Sequence, residues 1–120
     1  MECTIFSADS WSCTIHLRIS GRRDEQFSPV LTSKSDVELW IRRAQGALLC
    51  LSYLPIATFR NKSREQIKEL TDPEDARVLT LTKDIVVVTI TDPNGANLSF
   101  VDLPGARRTL PLQVYRRNSS

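Results

Sequence analysis

The segment whose residue types could do the most specific chemistry is the tetrapeptide Asp102-Leu103-Pro104-Gly105. It follows Leu98–Val101, an apolar segment that predicts a short strand. An aspartate at the end of a strand can hold Mg²⁺ through water, and a glycine lets its backbone amide approach a γ-phosphate. The pattern fixes only two residue types, so taken alone it favours a strand that ends in a plain Pro-Gly turn.

The cysteines and the histidine are the other reactive side chains. The three cysteines, Cys3, Cys13 and Cys50, show no Cys-x-x-Cys spacing, which argues against a disulfide framework and a zinc site. His16 lies in an alternating segment, on the face opposite Cys13, and is expected to be a solvent-facing strand residue. A nucleophilic pair of Cys13 or Cys50 with His16 stays an alternative that no spacing supports.

Composition limits the class of protein. The chain has 120 residues and a net charge of +2, which fits one domain and gives no reason to expect a nucleic-acid partner. No apolar run approaches the roughly 20 residues that cross a membrane. The first residues do not resemble a secretion signal. We therefore expect a cytoplasmic location.

Two strands, two helices and two further strands are expected to position these residues. Strands are predicted over 1–6, 11–19, 85–90 and 98–101, and the β-branched strand 85–90 is expected to be buried on both faces. The turn at 92–95 suggests that the last two strands form an antiparallel pair.

Both helices are predicted from capping-box patterns. Ser35-Asp36-Val37-Glu38 precedes an apolar stripe at helical spacing, and Ser63-Arg64-Glu65-Gln66 precedes a shorter one. Stripe residues are expected to pack in the core: Val37, Trp40, Ile41, Ala44, Leu48, Leu51, Ile67 and Leu70. The order of elements describes a sheet flanked by helices, of the α/β or α+β class.

The residues around the tetrapeptide resemble the dynamin superfamily of large GTPases. The likeness is carried by 84–88, by Thr91-Asp92-Pro93 and most specifically by 97–105, which reads Asn-Leu-Ser-Phe-Val-Asp-Leu-Pro-Gly. Upstream, the segments 1–3, 10–13, 36–39 and 42–45 are similar to fungal dynamin-like proteins. The resemblance covers residues 1–105.

The resemblance implies a fold, a site and partners. It implies a partial P-loop GTPase-type mixed α/β sheet with flanking helices that lacks the P-loop strand. The tail over 106–120 leaves the family pattern, and its polar and basic residues predict a disordered terminus. Asp102 would lie on the Mg²⁺ side and Gly105 would contact the γ-phosphate, with Leu103 and Pro104 completing the corner. The implied cofactors are GTP and Mg²⁺. The implied partners are dynamin-like copies, membranes or microtubules, which allows for membrane association.

Two motifs that a GTPase needs do not occur in these residues. No glycine precedes a lysine in a Gly-x-x-x-x-Gly-Lys-Ser/Thr loop, and no Thr/Asn-Lys-x-Asp follows Asp102. We therefore expect this chain alone to be inactive towards GTP. The alternative is a non-enzymatic interaction module that binds a full-length relative through an open sheet edge, which we expect beside 98–101.

Overall fold

A five-stranded mixed sheet organises the protein. The computed structural model describes residues 1–79 and 82–93, and the backbone of 113–117. The strands are β1 (Glu2–Ser7), β2 (Ser12–Arg18), β3 (Glu25–Gln26), β4 (Ile85–Asp92) and β5 (Gln113–Arg117). Their order is β3-β2-β4-β1-β5, with β1 parallel to β4 and β5, and β2 antiparallel to β3 and β4.

The helices lie between β2 and β4 in the chain. They are α1 (Val37–Leu49) and α2 (Arg64–Leu70), with 3-10 turns at Lys34–Asp36 and Ile56–Asn61. The prediction of an α/β fold with a mixed sheet and flanking helices is confirmed. Neither 3-10 turn nor the two-residue strand β3 was expected, because such short pieces leave no periodic signal in the sequence.

The core lies between one face of the sheet and α1. Alternate residues of three neighbouring strands point towards the helices, and four residues of α1 meet them. All are buried: Cys3, Ile5, Cys13, Ile15, Leu17, Val86, Val88, Ile90, Val37, Ile41, Ala44 and Leu48. Four residues of the predicted stripe are therefore confirmed as core, whereas Trp40 and Leu51 are partly buried and pack against it. The alternation predicted for β2 is also confirmed.

The prediction that β4 is buried on both faces is half right. Val86, Val88 and Ile90 are fully buried under the helices. On the other face Val87 is 7% exposed and Thr89 is half-buried, and the two residues line a groove. A run of β-branched residues shows that both faces carry apolar side chains, but it does not say whether a helix covers each face.

Of the two predicted capping boxes, only the second forms. Ser63 Oγ accepts the amide of Gln66 at 3.2 Å, and the Gln66 side chain accepts the amide of Ser63 at 2.9 Å. Ser35 instead lies within the first 3-10 turn, where its hydroxyl contacts Ser33 Oγ at 2.8 Å. That turn shifts the start of α1 to Val37, so the box predicted at Ser35 is wrong.

Both edges of β4 are occupied. Residues 85–91 pair with β2 and residues 87–92 pair with β1. The antiparallel pair predicted between 85–90 and 98–101 has no free edge of β4 to use between Val87 and Thr91. The segment 98–101 itself lies outside the described residues, as do 106–112 and 118–120 of the predicted tail. The described part of that tail, β5, is a strand beside β1.

Candidate functional site

The predicted nucleotide corner, Asp102, Leu103, Pro104 and Gly105, lies outside the described residues. The structure does describe the end of the sheet at which the parallel strands terminate. Ser7 of β1 is in register with Asp92 of β4, and Phe6 is in register with Arg117 of β5. The carboxyl ends of β1, β4 and β5 therefore lie together at one end of the sheet. Ligands of open α/β sheets bind at the carboxyl ends of strands.

Hydroxyl groups connect the loop between β1 and β2 to this end of the sheet by hydrogen bonds. Ser12 Oγ and Thr91 Oγ1 are 2.7 Å apart, and the Thr91 hydroxyl donates to the carbonyl of Ser10 at 3.2 Å. The amide of Ala8 donates to the carbonyl of Asp92 at 3.4 Å, and Asp92 is only 3% exposed. These hydrogen bonds hold the last residues of β4 to the loop between β1 and β2.

A groove of about 600 Å³ lies on the sheet face that does not carry α1. This size is within the range of small-molecule sites. Three strands supply its floor and the loop before β3 supplies part of its rim. The lining residues are Glu2, Thr4, Phe6, His16, Arg18, Asp24, Val87 and Thr89.

Arg18 crosses this groove from β2 towards β1. Its Nη1 donates to Glu2 Oε2 at 2.8 Å and its Nε donates to Asp24 Oδ2 at 3.3 Å. The pairs are partly exposed, so they orient the guanidinium more than they stabilise the fold. With one cation and two carboxylates, this end of the groove disfavours anions. The end of the groove that holds Arg18, Glu2 and Asp24 is therefore poorly suited to a phosphate.

Sequence reasoning identified only part of this groove. The alternation in β2 placed His16 and Arg18 on the outer face, and His16 is half-buried there. Glu2 could not be predicted as the partner of Arg18, because β1 and β2 are separated by β4 and the parallel pairing of β1 with β4 leaves no mark in the local sequence.

The cysteines are poor candidates for a nucleophile. All three are fully buried, and burial raises the pKa of Cys3 to about 11, the pKa of Cys13 to about 12 and the pKa of Cys50 above its usual range. Cys13 and Cys50 belong to the core beneath the helices, whereas His16 lines the groove on the opposite face. The alternative of a pair with His16 is therefore wrong, and the thiols stay protonated at neutral pH.

Within residues 1–79, 82–93 and 113–117, no group of three or more His, Cys, Asp or Glu side chains is placed to hold a metal ion. In the same ranges, no helix is long and apolar enough to cross a bilayer.

The chain was also compared with known proteins. It matches no family model, no curated protein and no solved structure.

Proposed function

We propose that residues 1–105 are part of a dynamin-type GTPase domain. The observation that carries the proposal is the run Asn97–Gly105, which repeats the aspartate, proline and glycine of the third guanine-nucleotide motif behind an apolar segment. In this proposal Asp102 holds Mg²⁺ through water and the amide of Gly105 contacts the γ-phosphate. The mixed sheet with helices between its strands supports the proposal at the level of fold class.

The common end of the parallel strands supports this proposal. Strand β4 ends at Asp92, ten residues before Asp102 in the chain. The carboxyl ends of β1 and β5 lie at the same end of the sheet as that of β4. If Asp102–Gly105 lay at this end of the sheet, a carboxylate and a backbone amide would stand where ligands of α/β sheets bind.

The free energy that nucleotide binding requires limits what this chain can bind by itself. Micromolar binding requires about 8 kcal/mol, and each charge-assisted contact from a P-loop contributes roughly 1.5–3 kcal/mol. The loop that makes several of these contacts is not among the 120 residues. Titration of the purified chain with GTP and Mg²⁺ should therefore show no low-micromolar binding, and such binding would contradict this estimate of the corner's strength.

The coding sequence tests the proposal directly. We expect the transcript upstream of the Met1 codon to contain, in the same frame, codons for Gly-x-x-x-x-Gly-Lys followed by Ser or Thr. A stop codon in that frame, with no such run between it and Met1, would contradict the proposal.

A second candidate is an interaction module that binds a full-length relative by strand addition. The outer edge of β3 is blocked, because Arg60 donates to the carbonyls of Gln26 at 3.4 Å and Phe27 at 3.1 Å. The outer edge of β5 pairs with no other described strand. An immobilised dynamin-like relative should retain this chain and release a version that ends at Leu112. Equal retention of both versions would exclude the β5 edge.

A further inference from the structure

The groove on the sheet face opposite α1 holds hydrogen-bonding groups that the fold does not use. The side chains of Thr4, His16 and Thr89 line it and form no hydrogen bond with the described residues. Thr4 and Thr89 are partners in register across β1 and β4, and His16 and Glu2 flank Val87 from either side. The unused groups therefore come from three strands and line one groove of about 600 Å³.

The ion pairs at one end of the groove also have hydrogen-bonding capacity to spare. Arg18 donates through Nε to Asp24 and through Nη1 to Glu2, whereas a guanidinium carries five N–H groups. Its other N–H groups meet no acceptor in the described part of the chain. Each carboxylate accepts one hydrogen bond from Arg18, although an ionised carboxylate offers about four acceptor positions. Donors and acceptors for a ligand therefore lie side by side at this end.

The charges around these groups give little attraction for an ion. Glu2 and Asp24 pair with Arg18, and the Met1 ammonium also interacts electrostatically with Glu2. A cationic ligand would compete with two cations that are already present, and an anionic ligand would approach two carboxylates. Because the opposite charges nearly cancel, the groove favours an uncharged ligand.

We propose that this groove binds an uncharged carbohydrate. A sugar hydroxyl both donates and accepts hydrogen bonds, so it can pair with Arg18, with the carboxylates and with the threonine hydroxyls without adding charge. The groove extends from Glu2 to Phe6, four residues along β1 and therefore about 13 Å, which accommodates two linked sugar rings. The half-buried ring of Phe6 offers an apolar surface to the C–H face of a sugar. The site does not involve Asp102, so it stands independently of the proposed GTPase function.

Titration of the isotope-labelled full chain with maltose and with cellobiose, followed by NMR, tests the site. Amide signals of Thr4, His16 and Thr89 should shift saturably with at least one of the two sugars. The expected dissociation constant is on the order of 1 mM, because the groove is open to water. Signals of α1, on the other side of the sheet, should not shift. The absence of saturable shifts with both sugars, or saturable shifts only outside the groove, would overturn the inference.

Two double variants separate this site from general effects on the protein. Thr4→Val/Thr89→Val removes two hydroxyls from the groove and keeps the β-branched shape. It should weaken sugar binding about tenfold, because two hydrogen bonds to the ligand are lost. The matched control Thr32→Val/Thr58→Val makes the same change at two threonines that do not line the groove. This control should keep the wild-type affinity, and equal sugar affinities of the two double variants would contradict the proposed site.

Glucose and glucose 6-phosphate test the preference for an uncharged ligand. The wild type should bind glucose more tightly than glucose 6-phosphate, because the phosphate would approach Glu2 and Asp24. The variant Glu2→Gln/Asp24→Asn keeps the shape of both side chains and leaves the charge of Arg18 without a carboxylate partner. It should reverse the preference, a gain of phosphate binding that partial unfolding cannot produce. Preference for the phosphate in the wild type, or the same preference in the variant, would overturn the inference.

Discussion

Gly46 shows how a single residue adapts α1 to its neighbours. Glycine costs a helix about 1 kcal/mol relative to alanine, so the sequence alone presents Gly46 as a weakness. A Cβ at this position would lie 2.8 Å and 2.9 Å from two ring carbons of Phe59, which is fully buried. The glycine therefore allows the 3-10 turn Ile56–Asn61 to approach α1 closely.

We predict that Gly46→Ala destabilises the protein. Overpacking of this kind costs about 1–3 kcal/mol, which exceeds or cancels the gain in helix propensity. The measurement is the free energy of unfolding in urea. When Phe59→Leu is introduced first and makes room, Gly46→Ala should become less costly or even stabilising. An equal cost in both backgrounds would show that the close approach to Phe59 is not the cause.

The buried thiols predict a loss of stability at alkaline pH. The pKa of Cys13 is raised by burial to about 12, whereas that of an unfolded cysteine is about 9. The folded state therefore keeps a proton that the unfolded state releases between these values. The stabilisation is complete below about pH 9 and is lost as pH rises towards 12.

Comparison with Cys13→Ala isolates this effect. Above pH 9, the stability of the wild type relative to Cys13→Ala should fall by about 1.4 kcal/mol per pH unit. Urea unfolding at pH 8, 9 and 10, values chosen on either side of the titration, measures it. A difference that does not change with pH would contradict the burial of this thiol.

The two helices begin after similar capping-box sequences, but only one of these sequences forms a capping box. Ser63 and Ser35 each stand three residues before a Gln or Glu, but only Ser63 caps its helix. We predict that Ser63→Ala costs about 1 kcal/mol of stability, the usual value of a lost N-cap, while Ser35→Ala changes stability little. Urea unfolding of the two variants measures the contrast. Equal costs would mean that Ser35 also caps α1.

The two serines also show what sequence can predict and what it cannot. A capping box is a local sequence pattern, and a preceding 3-10 turn can shift the helix start by one residue while the pattern stays the same. The stripe of α1 and the alternation of β2 were predicted correctly, since burial of one face imposes a period on the sequence. The same alternation placed His16 and Arg18 on the outer face.

Strand neighbours could not be predicted in the same way. The turn after Asp92 suggested an antiparallel partner for β4, but β4 instead lies between β1 and β2, which come from the other end of the chain. Long-range pairings of this kind set the partners of Arg18, which are Glu2 and Asp24.

For the whole molecule, the proposal is that these residues carry the Mg²⁺ and γ-phosphate side of a larger nucleotide site. The parallel strands β1, β4 and β5 terminate at one end of the sheet. Asp102 follows the last residue of β4 by ten residues. The other contacts would come from a P-loop that this sequence does not contain. The corner should therefore affect GTP binding only when a P-loop is present in the same polypeptide.

The most direct test is a titration with GTP and Mg²⁺ of the chain expressed together with its upstream coding segment. We predict measurable GTP binding that Asp102→Ala weakens about tenfold or more, as expected from the loss of a charged contact to the metal, and that Asp72→Ala leaves unchanged. Absence of GTP binding by the longer chain, or equal affinity of the wild type and Asp102→Ala, would contradict the account.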